Sequence, residues 1–109
     1  MVDDILTEVG VQFRRSRFPK PPSETYIVFT DDEETSGADV APNMVINHNV
    51  TVEVYEASPD DETEAAVETA LNKRGLAWSK QGRYWLQSEQ RYQVAYDFSY
   101  YEKRRMNNG

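Results

Sequence analysis

The chain has no cysteine, a single histidine, and neither lysine nor arginine between residues 21 and 72. The absence of cysteine excludes a disulfide framework and any thiolate metal site. A single histidine leaves no His/Cys set with metal-ligand spacing. No apolar run approaches the roughly 18 residues that a membrane-spanning helix needs, and the acidic start MVDDILTEVG is unlike a signal peptide. These absences predict a protein with no membrane partner and no metal site.

Signatures of catalysis are missing as well. The sequence has no nucleophile elbow, no phosphate-binding glycine loop and no Ser/His/Asp arrangement beyond chance. His48 stands between two asparagines, a setting more typical of a strand or surface residue than of a catalytic base. We therefore predict a non-enzyme that uses no cofactor and has no small-molecule substrate.

Charge is distributed unevenly along the 109 residues, whose net charge is −7. Residues 1–20 carry four bases and three acids, residues 21–72 carry thirteen acids, and residues 73–109 carry eight bases and three acids. The acidic excess disfavours non-specific binding to nucleic acid or to anionic membranes. Segregated charge can let the acidic surface of one copy meet the basic surface of another. The alternative is that the two surfaces neutralise each other within one subunit.

The best-specified part of the chain is a strand followed directly by a helix. Apolar and polar residues alternate over 50–55, the period-two pattern of a half-buried strand. A helix over 59–74 is predicted because Ser58 can cap it, Pro59 suits the first helical position and Gly75 suits the C-cap. Its apolar stripe consists of Ala66, Val67, Ala70 and Leu71. Its carboxylates are expected to form a solvated face rather than a metal site; they are Asp60, Asp61, Glu62, Glu64 and Glu68.

Further strand patterns complete the expected fold. Residues 25–30 are apolar between two threonines, so we expect both faces of that strand to be covered, while residues 43–56 form one long strand or two. The alternation over 92–100 places aromatic residues on one side, which we expect to pack on the helix rather than stack on bases. We predict an α+β fold with a mostly antiparallel sheet of about four or five strands, packed against the main helix and a short N-terminal helix ending at Val9.

The chain is long enough for one domain, which we assign to residues 1–102, with residues 103–109 predicted to be a disordered tail. The stretch Asp31–Pro42, DDEETSGADVAP, has loop composition throughout. A loop of this length suggests a functional role or ordering upon assembly, and the alternative is a merely mobile loop. It faintly imitates a calcium loop but lacks the bidentate glutamate at the twelfth position.

The basic stretch near the N-terminus contains Arg14, Arg15 and Arg17, followed by Phe18. It can serve as a contact patch for phosphate or for a partner. The alternative is a solvated loop or edge strand, where basic side chains discourage unwanted strand pairing.

The order of the signals supports a family resemblance over about residues 5–101. It runs from YIVFTDD through Gly37-Ala38-Asp39 to NVTVEVYE, then through a helix ending ALNKRGLAW, and finally to YWLxxExxYQVAYDF. This order resembles a small minor tail protein of siphophages and of prophages of Gram-positive bacteria. The chain is similar to the tail terminator and tail-completion (tail-to-head joining) proteins of that group.

The resemblance implies a structural subunit that forms a ring, usually a hexamer, at the head-proximal end of the tail tube. Such a ring caps the tube and joins it to the head, so its partners would be other copies of itself, the tail tube protein and the head–tail connector proteins. It would belong to the virion tail, pass through the host cytoplasm during assembly, and be monomeric in isolation. A head–tail connector or head-completion protein of similar fold is one alternative. An acidic DNA-mimic inhibitor is another, because residues 21–72 carry thirteen acids and no base.

Under this interpretation the charged stretches are the candidate assembly interface. The residues assigned to it are Asp31, Asp32, Glu33, Glu34, Asp39, Arg14, Arg15 and Arg17.

Overall fold

A computed structural model of the chain describes residues 1–35 and 43–105. In chain order its elements are α1 (Val2–Val9), β1 (Gln12–Arg15), β2 (Tyr26–Thr35), β3 (Asn43–Glu56), α2 (Asp61–Lys73), β4 (Trp78–Lys80), β5 (Tyr84–Leu86) and β6 (Arg91–Arg105). These strands form one sheet in the order β1-β2-β3-β6-β4, and β5 pairs with a separate part of β6.

The predicted α+β fold with a mostly antiparallel sheet is confirmed, with two corrections. The described strands number six rather than four or five. The pairing of β1 with β2 is parallel, whereas every other pairing among the described strands is antiparallel. The short strands β1, β4 and β5 border three long ones, so β2, β3 and β6 form the frame of the sheet.

The two longest strands pair along their whole length. Their register runs from Asn43 opposite Arg105 to Glu56 opposite Tyr92. Of the two possibilities for residues 43–56, the structure therefore has the single uninterrupted strand. No break occurs at Asn47–Asn49, because the backbone there is paired with β2 on one side and β6 on the other.

The core lies between the two helices and one face of the sheet. Alternate residues of β2, β3 and β6 supply the sheet side, and Phe29, Val52 and Tyr96 lie next to one another across the three strands. The buried apolar cluster consists of Val2, Ile5, Leu6, Ile27, Phe29, Val50, Val52, Val54, Val67, Ala70, Leu71, Val94, Tyr96 and Phe98. The expectation that the aromatic face of the last strand packs against the helix is confirmed.

The apolar half of β2 is covered on both faces, as the sequence predicts. Tyr26, Ile27, Val28 and Phe29 are all buried. On the face away from the helices, the ring of Phe18 lies 5.2 Å from that of Tyr26 in an edge-on arrangement. The segment before β2 therefore supplies the second cover.

Helix α2 begins two residues later than predicted. Its N-cap is Asp60 rather than Ser58, and the Asp60 carboxylate accepts hydrogen bonds from the Thr63 amide at 3.0 Å and the Thr63 hydroxyl at 2.8 Å. Thr25 donates a third hydrogen bond to the same carboxylate at 2.7 Å, which ties the helix start to the entry of β2. A carboxylate that satisfies several donors is a stronger cap than a lone serine hydroxyl.

The predicted C-terminal glycine of this helix is confirmed. Gly75 adopts φ 69, in the left-handed region that glycine enters without a steric penalty. The amide of Gly75 donates to the Asn72 carbonyl at 3.0 Å and that of Leu76 to the Leu71 carbonyl at 3.2 Å. This paired pattern satisfies the last carbonyls of the helix.

The N-terminal helix ends at Val9, as predicted, and starts at Val2. Gly10 follows it with φ 87, and Ile5 and Leu6 are buried, while Val9 is half-buried. Its N-cap is Met1, which makes no side-chain cap hydrogen bond, and Asp3 and Asp4 lie inside the first turn. They remain near the positive end of the helix dipole, which favours acids.

Two stretches that composition assigns to loop or tail are strands. Asp31–Thr35, predicted as part of a loop, continues β2 and pairs with residues 46–50 of β3. Lys103–Arg105, predicted as part of a disordered tail, continues β6 and pairs with residues 43–45. In both cases β3 supplies a ready backbone partner, and charged side chains are tolerated because they lie at the borders of the sheet.

The remaining parts of these two predictions, residues 36–42 and 106–109, lie outside the described residues. Among the described residues, neither helix has the length and apolar character needed to cross a membrane.

Candidate assembly surface

The three long strands continue past the helix-covered core and form an arm, which we define as residues 31–35, 43–49 and 99–105. The last residues of the buried apolar cluster on these strands are Phe29 of β2, Val50 of β3 and Phe98 of β6. Beyond them, Ile46 and His48 of β3 are also buried. The described molecule is accordingly elongated, with principal extents of 49 × 29 × 21 Å.

Both outer borders of the arm lack a strand partner among the described residues. Strand β1 pairs with β2 only as far as Phe29, so the edge of β2 beyond that residue is open. Just past the last β1–β2 pair, the side chain of Arg15 donates a hydrogen bond to the Asp31 carbonyl at 3.2 Å. On the other side, β4 pairs with β6 only as far as Phe98, so the edge over 99–105 is open. Open edges of this kind are templates for pairing with another chain.

The predicted acidic interface residues lie on the open edge of β2, on its two faces. Asp32 and Glu34 are exposed and point away from the helix side, whereas Asp31 and Glu33 share the helix-side face. Asp32, Glu33 and Glu34 are exposed, but Asp31 is half-buried. Asp39 lies outside the described residues.

The predicted basic residues do not lie on the opposite edge of the sheet from the acidic ones. They lie at the same edge, on or just after the strand that pairs with β2. Arg14 and Arg15 belong to the edge strand β1, and Arg17 follows it. The guanidinium of Arg14 lies 5.3 Å from the centre of the Phe18 ring. Of the two interpretations of this basic stretch, a contact patch or a solvated edge strand, the edge strand describes the placement best.

The sequence analysis did not identify the basic side chains on the edge formed by β6, because residues 103–109 have the composition of a disordered tail. Lys103 and Arg104 are exposed on the open edge of β6. Arg104 donates to Glu102 at 3.0 Å and reaches Glu33 at 3.7 Å. The arm thus has an acidic edge on β2 and basic residues on the edge of β6.

His48 lies at the base of the arm, buried on the helix-side face. Its Nδ1 is 2.9 Å from Asp31 Oδ1, and its Nε2 is 2.7 Å from Glu102 Oε1. The imidazole stacks on Tyr100 with ring centres 4.3 Å apart and an interplanar angle of 2°. The prediction of a strand residue is confirmed, but His48 is not on the surface; the sequence holds no local signal for partners 17 and 54 residues away.

The electrostatics of this group follow from two opposing effects. Burial lowers the pKa of His48, but the hydrogen bonds to Asp31 and Glu102 outweigh it, so the pKa is raised above its ordinary value. Hydrogen bonds from Arg104 and His48 hold the pKa of Glu102 below its ordinary value. The hydrogen bonds of His48 to Asp31 and Glu102 join all three strands of the arm.

The carboxylates of α2 are not uniformly solvated, which corrects the sequence interpretation. Glu64 is buried, with Arg83 at 2.6 Å and Lys80 at 3.0 Å. Glu68 accepts from Lys80 at 2.8 Å and from the Tyr96 hydroxyl at 2.8 Å. The strand β4 and the turn after it bring these cations over the helix, which a helical wheel of α2 alone cannot show. Asp61 and Glu62 are exposed as expected.

A cleft of about 370 Å³ adjoins the base of the arm, between the start of α1 and strand β1. Phe13, Phe29 and Tyr100 line its inner side, and Arg15 and Asp31 lie at its charged border. The cleft is open, so it gives solvent and ions access to the Asp31 carboxylate.

The comparisons with known proteins concern the fold. No family model and no curated protein matches the sequence. Among solved structures, a chain of the virion of a native gene transfer agent (GTA) particle is similar, with a TM-score of 0.58 at 14% identity. The match covers 92% of this chain and 84% of that chain. At this identity the similarity establishes a shared fold over nearly the whole chain.

Proposed function

We propose that this chain is a structural protein of a phage-like virion that caps or completes the tail tube and joins it to the head as a ring of identical subunits. The fold shared with a chain of a gene transfer agent virion supports the structural role. The order of sequence motifs supports the tail-completing role. The observation that carries the mode of assembly is the arm, with its two open edges of opposite charge.

The strand directions suit a ring. Strands β2 and β6 are each antiparallel to β3, so they run parallel to each other. When copies are related by rotation about one axis, β6 of one copy lies beside β2 of the next and continues the sheet in parallel. Such a contact joins two different patches, and a head-to-tail contact of this kind closes into a ring when the rotation permits.

The exposed charges favour this pairing over its alternatives. Asp32 and Glu34 on one edge have no ion pair within the described residues, and neither does Lys103 on the other edge. Joining the two edges brings opposite charges together, whereas pairing two β2 edges would oppose four acids on each side. Charge therefore selects the head-to-tail contact.

Closure of the ring would remove both open edges from every copy. Six copies, the number that the resemblance implies, would contribute about eighteen arm strands, at which size a closed sheet leaves an open lumen. A single edge contact is small, so we expect the isolated protein to be monomeric until the end of a tail tube holds several copies together. A stable ring in dilute purified protein would contradict the expectation that the isolated protein is monomeric.

The test is assembly on tail tubes assayed by sedimentation and electron microscopy. The wild-type protein should give rings or caps at tube ends. Glu34→Lys should weaken capping by about tenfold or more, since it places like charges across the proposed contact. The matched control is Glu62→Lys, which reverses one exposed acid on α2 and should assemble like the wild type.

Three outcomes would count against the proposal. Equal capping by Glu34→Lys and Glu62→Lys would remove the acidic edge from the interface. Failure of the wild-type protein to bind tube ends, with binding to purified connector rings instead, would favour a head–tail connector. A stoichiometric complex with a basic DNA-binding enzyme would favour the DNA-mimic alternative, although Glu56, Glu64 and Glu68 contact Arg83 or Lys80 and are not part of a free acidic surface.

A further inference from the structure

Four charged side chains from three strands meet on the helix-side face at the base of the arm. They are Asp31 and Glu33 of β2, His48 of β3 and Glu102 of β6. The side chains of His48 and Asp31 are 4% and 11% exposed, whereas that of Glu33 is 41% exposed. The cluster therefore has a closed inner side and an opening at Glu33.

One nitrogen of the imidazole has a fixed role. Its Nε2 lies 2.7 Å from Glu102 Oε1, and Arg104 holds that same carboxylate with a hydrogen bond of 3.0 Å. An ionised carboxylate only accepts hydrogen bonds, so Nε2 carries a proton and donates it. A histidine that donates one ring N–H to a carboxylate is the arrangement found behind metal-binding histidines, because it orients the ring and increases the basicity of the other nitrogen.

The other nitrogen faces two further ligand atoms. Nδ1 points at Asp31, 2.9 Å from Oδ1 and 3.1 Å from Oδ2. One ligand atom from each of Asp31, Glu33 and His48 lies within 4.8 Å of the other two. Ligands around a Zn²⁺ ion, with bonds of about 2.1 Å, are separated by about 3–4 Å. Glu33 is the exposed member of the three, so its side chain is the one that would have to adjust to reach that spacing.

We propose that Asp31, Glu33 and His48 bind one divalent first-row transition-metal ion, through His48 Nδ1 and one oxygen of each carboxylate. One imidazole and two carboxylates suit Zn²⁺, Co²⁺ or Mn²⁺ better than Mg²⁺ or Ca²⁺, which prefer oxygen ligands alone. The charge of the cluster is compatible with a cation as well. Its three carboxylates are Asp31, Glu33 and Glu102, and Arg104 contacts two of them. A divalent ion would take the place of the proton on Nδ1. The ion would join β2 to β3 where the arm leaves the core.

The test uses the full chain without a polyhistidine tag, in chelator-treated buffer. Isothermal titration with Zn²⁺ and visible absorption with Co²⁺ should both show saturable binding of one ion per chain, and Mg²⁺ and Ca²⁺ should bind far more weakly. Because His48 is the only histidine, its ring ¹⁵N resonances report this site alone. Saturation with Zn²⁺ should shift the Nδ1 signal while Nε2 keeps its proton.

The variants separate the site from adventitious binding. Glu33→Gln should weaken Zn²⁺ binding by at least about 10- to 100-fold, the range for loss of a group that only supports a metal ligand. Glu34→Gln is the matched control, because it removes the same charge from the opposite face of β2 and should leave the affinity unchanged. His48→Gln should abolish the Co²⁺ spectrum, with circular dichroism as the check that the variant is folded.

Three results would overturn the proposal: no saturable binding of Zn²⁺ or Co²⁺, equal loss in Glu33→Gln and Glu34→Gln, or a His48 Nδ1 signal unchanged at saturating Zn²⁺. All three are measured on the isolated chain. They therefore leave the proposed ring assembly untouched, and failure of tube capping leaves the metal site untouched in turn.

Discussion

Glu56, at the end of β3, shows how a buried carboxyl is held in this fold. It is fully buried, and its Oε1 accepts a hydrogen bond from Arg83 at 3.3 Å. Its Oε2 has no donor among the described residues, but Glu64 lies against it. A proton on Glu56 resolves this, because the protonated oxygen can donate to the Glu64 carboxylate. Burial and the neighbouring carboxylate accordingly raise the pKa of Glu56 to about 8, while hydrogen bonds from Glu56, Arg83 and Lys80 outweigh the effect of burial and lower the pKa of Glu64.

Glu56→Gln should therefore change how stability depends on pH. The folded protein holds a proton on Glu56 that the unfolded chain releases near pH 4.5, so the free energy of unfolding should fall as pH rises from about 4.5 to about 8. The amide of glutamine keeps a donor for Glu64 at every pH. We expect the variant to match the wild type near pH 5 and to exceed it by about 1–3 kcal/mol at pH 9, the scale of an unsatisfied buried polar group.

Chemical denaturation at pH 5, 7 and 9 checks this. Glu62→Gln, which changes an exposed acid on α2, is the control and should be neutral at all three values. A wild-type stability that stays level or rises between pH 5 and pH 9 would show that Glu56 is ionised in the folded protein.

Helix α2 covers the core face of the sheet, and only a few of the side chains in its apolar stripe are large. Val67, Ala70 and Leu71 are buried, whereas Ala66 is half-buried. Leu71 is the largest of them and has no solvent exposure. Its carbonyl also accepts the hydrogen bond from the Leu76 amide that closes the end of the helix. Packing and helix termination therefore coincide at one residue.

Leu71→Ala should lower the free energy of unfolding by about 2–5 kcal/mol, because it removes buried methyl groups and leaves a cavity between α2 and the sheet. Leu76→Ala removes the same atoms from a half-buried position next to it and should have a smaller effect. Urea denaturation of both variants measures the difference. Equal losses in the two variants would mean that the core relaxes around the Leu71 cavity.

At the scale of the molecule, a helix-covered sheet is joined to an arm whose strands continue past the buried apolar cluster, with Tyr100 at the base of the arm packed against that cluster. This division predicts a gradient in backbone protection. In the isolated protein, the edge amides of 32–35 and 99–105 should exchange with solvent faster than those of 46–49, since β3 is paired on both sides there. Amides at Val52 and Val54, in the core, should exchange slowest.

Assembly should slow amide hydrogen exchange only at the two open edges of the arm. Hydrogen–deuterium exchange followed by mass spectrometry, before and after capping of tail tubes, should show slower exchange over 32–35 and 99–105 and little change in α2. Unchanged exchange at both edges upon capping would mean that subunits meet through another surface.

Much of the fold can be predicted from local patterns. The alternation over 50–55 and 92–100, the apolar stripe of α2 and the glycine at its end each depend on residues within a few positions of one another, which is where periodicity and capping act. The candidate interface stays a prediction: Asp31, Asp32, Glu33 and Glu34 lie on the open edge of β2, and Arg14, Arg15 and Arg17 lie on or just after β1. Composition gave no sign that Lys103 and Arg104 lie on the open edge of β6.

The sequence by itself therefore determined where the helices and the apolar parts of the strands lie, and which of their faces are apolar. Only the tertiary structure decided that Asp31–Thr35 is a strand, that Glu64 is buried, and that His48 meets Asp31 and Glu102. The physical reason is the range of the contacts. Strand register and helix packing join residues far apart along the chain, and a one-residue change of register would move every side chain of a strand to the other face.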